Sequence, residues 1–171
     1  TQFAVLEGAT VHIYGHLGFF PKHQVLIQSM LPDQSEGVFY EGSVKRTEVD
    51  QAYNAVDVLV LLIPESRYIS AGKTYEYMAT GKPVICPFTA KTAATDIITG
   101  YPLAFPIAEL TPEAISEALQ AAARKARVMT EEEYTACLQH ARKYRREVQL
   151  EKLRTALEAL LVPRATGDVS D

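Results

Sequence analysis

The chain has 171 residues, 47% hydrophobic and 22% charged, so it carries enough apolar material for one buried core and is not the composition of a disordered or fibrous polypeptide. A net charge of -4 supplies no basic field for nucleic acid, and no apolar run approaches the roughly 20 residues a membrane-spanning helix needs. Two cysteines, Cys86 and Cys137, are too few for a disulfide framework; with no recognisable signal peptide they point to a reducing, cytoplasmic setting.

In chain order, residues 3–6 read as the end of a helix or a short strand, turning at Glu7-Gly8. Residues 11–14 form a strand that hands over to a loop at Gly15, and Pro21 opens a helix that Leu31-Pro32 breaks. His12 and His16 have no carboxylate or cysteine at a ligand spacing and are expected to be satisfied or exposed histidines without a metal. A strand at 38–40 leads into Gly42-Ser43-Val44-Lys45, after which Thr47 is placed to cap a helix over 48–55. Residues 57–63 are almost continuously aliphatic, as expected of a central parallel strand covered on both faces, and Pro64 ends it.

The run 70–87 is the organising stretch. Small residues open a short helix at Gly72, Gly81 stops it, and Pro83 precedes a buried strand over 84–86. The first turn of such a helix has unpaired N–H groups and about half a positive charge, which stabilises a phosphate. Gly72 lets the backbone approach a ligand, Lys73 adds a point charge, and Glu76 lies one turn deeper on the Gly72 face, where a carboxylate would accept hydrogen bonds from two ribose hydroxyls. In a plainer reading, Gly72 shapes a turn, Lys73 is solvated and Glu76 is an ordinary exposed helix residue. Tyr75, Met78 and Ala79 have the spacing of core positions.

Further on, a helix over 89–98 and a strand over 103–106 complete an alternation of strands and helices, which implies right-handed crossovers and a doubly wound parallel sheet. Thr111-Pro112-Glu113 starts a helix to about 128, and Thr130 with Glu133 has capping-box spacing for another to about 146. A last helix covers about 148–161. The basic residues Arg142, Lys143, Arg145, Arg146, Lys152 and Arg154 are interrupted by glutamates, and so read as a solvated face or a domain contact in preference to a membrane surface.

The segment Gly72-Lys73-Thr74-Tyr75-Glu76-Tyr77-Met78-Ala79-Thr80-Gly81-Lys82-Pro83-Val84-Ile85 resembles the signature of the nucleotide-sugar domain of GT-B glycosyltransferases, especially family 4-like enzymes. Val11-His12-Ile13-Tyr14-Gly15, residues 38–44 and residues 55–64 fall in that family's order, so the resemblance covers roughly residues 11–105. It implies a Rossmann-like α/β sheet, the C-terminal half of a GT-B fold lacking its first strand. The implied partition is a nucleotide-sugar domain over 1–146, a C-terminal helix over 147–162 and a flexible tail over 163–171, with an N-terminal acceptor domain missing.

The implied function is transfer of a sugar from a nucleotide-diphosphate donor to an acceptor, without metal or other cofactor. Gly72, Lys73, Thr74, Glu76 and Ala71 would hold the nucleotide, and the backbone of Gly42, Ser43 and Val44 would contact the base. Many enzymes of that family carry a second glutamate, for the donor sugar, at the position that is Tyr68 here; Glu65 is the nearby substitute. No catalytic acid or base is assigned. A sugar-nucleotide epimerase of the same architecture and a nonenzymatic α/β protein-contact module are the alternatives.

Overall fold

The computed structural model describes residues 9–18, 20–32, 34, 37–62, 72–87 and 92–161. Strands and helices alternate: β1 (Val11–Tyr14), α1 (Pro21–Met30), β2 (Val38–Gly42), α2 (Val49–Asn54), β3 (Leu59–Val60), α3 (Gly72–Ala79), β4 (Val84–Pro87), α4 (Ala93–Ile98) and β5 (Ala104–Ile107). Three helices follow, α5 (Pro112–Val128), α6 (Glu131–Arg142) and α7 (Arg146–Leu161). All strand pairs are parallel, which is the expected α/β class. The strands lie in two sheets, β1-β2 and β3-β4-β5, where the sequence predicts one; β1 and β3 are not hydrogen-bonded to each other.

The three-stranded sheet is covered on both faces because its side chains alternate. Val84 and Cys86 of β4 join Leu61, Met78, Ile98 and Cys137 in one cluster, under α3, α4 and α6. Ile85, one residue out of phase, joins Ile107 of β5 and Ala122 of α5 on the opposite face. Both cysteines are free and buried.

Helix starts follow their caps. Thr111 accepts a hydrogen bond from the Ala114 N–H with Pro112 behind it, and Thr130 and Glu133 form the reciprocal capping box that their spacing predicts. Helix α4 begins later than expected, where Thr92 and Thr95 form a second such box. Thr47 does not cap: it sits inside a 3₁₀ turn, Arg46–Glu48, and the N-cap of α2 is Glu48 without a side-chain bond. Of the strand expected over 57–63, Leu59 and Val60 pair with β4 and the Leu61 N–H bonds the Ile85 carbonyl at 2.9 Å, while residue 63 lies outside the described residues. Of the positions expected in the core of α3, Met78 is fully buried, while Tyr75 and Ala79 are exposed. Helix α7 is exposed along its whole length, with Leu150, Leu153, Leu157 and Leu160 uncovered. Its basic residues are partly paired, Arg154 with Glu151 and Glu158. No helix of the described residues is long and apolar enough to cross a membrane.

Gly81 ends α3 with φ +72°, a conformation natural to glycine, and the ring of Tyr134 from α6 occupies the space a Cβ would enter. Gly81→Ala combines a left-handed penalty with a collision, and we expect it to destabilise the fold by about 2–4 kcal/mol in urea unfolding. His140 of α6 lies 8% exposed between the rings of Tyr101 and Tyr144, with Nε2 unpartnered among the described residues. Burial, aided by the charge of Lys143, lowers its pKa, against a raising contribution from the Ile97 backbone. The unfolded chain therefore binds this proton more readily, so the stability His140 contributes is complete above its unfolded pKa and falls as pH drops below it. Urea midpoints measured between pH 8 and pH 5 should decline less for His140→Phe than for the parent.

Candidate functional site

Because α3 follows β3 of a parallel sheet, its first turn lies at the carboxyl edge, where open α/β sheets place ligands. Gly72 begins the helix, exposed and with open space around it. Lys73 and Glu76 project from the same side, their side chains about half exposed (52% and 49%), with Nζ 2.8 Å from Oε2. The helical period that brings these two to the surface turns Thr74 inward with Met78. The Thr74 side chain is fully buried.

The cluster has a third member. The Tyr53 hydroxyl, from α2, donates to Glu76 Oε2 at 2.5 Å, and Lys73 Nζ donates to the Tyr53 oxygen at 2.6 Å, with the ammonium 5.2 Å from the ring centroid. The Tyr53 ring stands edge-on to Tyr77, one residue beyond Glu76, at 5.5 Å. The electrostatics agree with the geometry. Hydrogen bonds from Lys73 and then Tyr53 lower the pKa of Glu76, and the charge of Arg46 lowers it further. Burial, then the bond to Glu76, pushes the Tyr53 phenol up to about 12. Lys73 is pulled down by partial burial but raised on balance by Glu76 and Tyr53. The resting state is thus a carboxylate, an ammonium and a neutral phenol.

Tyr53 is held in place from the far end of α3. Lys82 Nζ donates to the carbonyls of Tyr53 (2.7 Å), Asn54 (3.4 Å) and Val56 (2.5 Å), satisfying the end of α2 with a cation where the helix dipole is negative. Arg46, in the 3₁₀ turn after β2, adds a second cation near Glu76.

The residues expected at the base lie at the end of β2 and just after it. Gly42 is the last residue of β2, at φ +76°, and its carbonyl accepts the Gly15 N–H at 2.8 Å. Ser43 Oγ lies 3.1 Å from the His16 ring, and Val44 is half-buried. Glu65, Tyr68 and Ala71 lie outside the described residues.

Parallel pairing of β1 with β2 also assembles a group that the sequence reading leaves apart. Thr10 Oγ1 is 2.9 Å from His12 Nε2, and His12 Nδ1 is 2.8 Å from Glu41 Oε1. The strand irregularity that sets Tyr14 opposite Gly42 makes Glu41 the extra residue, and Phe39 stacks on the imidazole at 5.2 Å. The order hydroxyl, imidazole, carboxylate is that of a nucleophilic triad, but among the described residues these groups lie exposed. A shallow, open groove of about 470 Å³ lies between β5 and α5, beside Phe105, Ile107 and Glu117. No group of three or more His, Cys, Asp or Glu among the described residues is placed to hold a metal ion.

Tyr53, Arg46 and Lys82 are the contributors that sequence reasoning missed. Tyr53 meets Glu76 across 23 positions and Lys82 meets Val56 across 26, separations that no local pattern reports. No protein-family model matches the chain, and no curated protein matches it.

Replacing Lys82 by Met removes the donor from three carbonyls while keeping the side chain's length. Lys82→Met should lower stability by about 1–3 kcal/mol in urea unfolding and speed amide exchange over residues 53–56.

Proposed function

We propose that this chain is the donor-binding part of a GT-B-type glycosyltransferase of the family 4-like kind, which moves a sugar from a nucleotide diphosphate to an acceptor. The observation that carries this reading is the juxtaposition of Lys73, on the first turn of a helix at the carboxyl edge of a parallel sheet, with Glu76 one turn deeper. The diphosphate would rest on the opening turn at Gly72 with Lys73, and Arg46 would supplement the positive charge. The ribose hydroxyls would donate to Glu76, Gly42, Ser43 and Val44 would border the base, and Glu65 and Tyr68 would border the sugar. As the glycosidic bond to the donor breaks, negative charge grows on the departing diphosphate, and fixed N–H dipoles and the ammonium stabilise it without reorganisation.

In this reading the two sheets are halves of one doubly wound Rossmann-like sheet whose first strand would lie between β1 and β3. A separate domain would bring the acceptor and the residue that activates it, and the setting would be the cytoplasm. No cofactor takes part.

A second reading is a nonenzymatic α/β module. It is favoured by the engagement of Glu76 Oε2 with two donors of the protein itself and by the uncovered leucines of α7, a ready surface for protein contact.

Calorimetric titration with uridine and guanosine diphosphates decides between the two. On the nucleotide reading one of them binds the parent, and Glu76→Ala weakens it about tenfold or more, since a hydrogen-bonded charged acceptor is lost. Equal affinities for parent and variant would remove the ribose role, and no heat at millimolar ligand would leave the protein-contact module.

A further inference from the structure

The Lys73, Glu76 and Tyr53 heteroatoms form a closed triangle with sides of 2.5, 2.6 and 2.8 Å. Both donors that Glu76 Oε2 accepts are therefore supplied by the protein: a hydroxyl and an ammonium. A nucleoside diphosphate at this place would offer hydroxyls to the carboxylate and draw the ammonium to its phosphates. The phenol hydroxyl takes one of the acceptor positions on the carboxylate, leaving one fewer for a ribose hydroxyl. Tyr53 is also no freely swinging side chain. Its backbone is gripped by Lys82 and its ring is braced edge-on by Tyr77, so breaking the triangle requires the phenol to yield at a defined site.

We propose that Tyr53 is a latch: in the empty protein its hydroxyl takes the place of a ribose hydroxyl on Glu76 and, with Lys73, holds the site closed, and a nucleoside diphosphate with an intact ribose diol opens it by exchange. This rests on the nucleotide reading of the same residues and adds a residue and a resting state to it. The exchange is feasible in magnitude. An ion pair as exposed as this one contributes little net stability, and the charged phosphates of the ligand can match it at Lys73. The latch lowers apparent affinity by the fraction of molecules in which it is open, so removing it should tighten binding without adding any contact to the ligand.

The test is titration of the 171-residue chain with uridine and guanosine diphosphates and with their 2′,3′-dideoxy forms, for the parent, Tyr53→Phe and Glu76→Gln. Tyr53→Phe keeps the ring against Tyr77 and deletes only the competing hydroxyl. The expected result is a roughly three- to tenfold gain in affinity for the intact nucleotide, of the size one hydrogen bond gives, with little change for the dideoxy form. Glu76→Gln should lose affinity for the intact nucleotide. Binding by the parent that depends on Glu76 but is unchanged or weakened in Tyr53→Phe would overturn the latch alone, a weakening making Tyr53 a ligand contact instead. Absence of binding in all three proteins would overturn the nucleotide reading and the latch with it. Near-equal melting temperatures of parent and Tyr53→Phe would show that the folds being compared are the same, and a large fall would count against the latch as a local device.

Discussion

One ammonium group sets the geometry on which the candidate site depends. Lys82 stands just past the end of α3 and donates to three carbonyls at the end of α2, so a short helix of six residues is fixed against the helix that carries Lys73 and Glu76. A helix so short has little stability of its own, and tertiary anchoring must supply the rest. The Lys82 carbonyl is itself bonded to the hydroxyl of the buried Tyr101, which ties this clamp to the core beneath the sheet. Chain, clamp and core are therefore continuous from Val56 to Tyr101.

Above that clamp, the surface cluster is built from weak pieces. Lys73 and Glu76 are half exposed and close in sequence, a combination that holds a geometry without locking it. Rigid support below and exchangeable charge above suit a binding site, since the acceptor and cation are positioned while their present partners remain replaceable. The Thr10, His12 and Glu41 group has comparable hydrogen-bond geometry but lies exposed among the described residues, whereas an activated hydroxyl gains over water in enclosed surroundings.

Much of the architecture was legible because it is written in short-range terms. The capping threonines at 111 and 130, the stop at Gly81 and the alternation of aliphatic runs with helical segments each need only a few neighbouring residues. Failures arise where a distant partner decides. The aliphatic run 57–63 shows how apolar that strand is but not where along it the pairing with β4 falls, which is at Leu59 and Val60. Tyr75 has the spacing of a core position but turns outward, while Thr74 takes the buried face with Met78. The Lys73 and Glu76 pair was readable from spacing, whereas Tyr53 reaches them only through the packing of α2 on α3.

The thiols at the centre of this packing offer a further use. Cys86 is fully covered, with its pKa pushed up to about 12 by burial, and Cys137 is likewise covered and raised. Neither presents a thiolate to a reagent while the two-faced sheet is intact, so alkylation becomes a clock for opening events. The order in which the two sulfurs are modified would tell whether α6 lifts from the sheet before β4 itself separates from its neighbours.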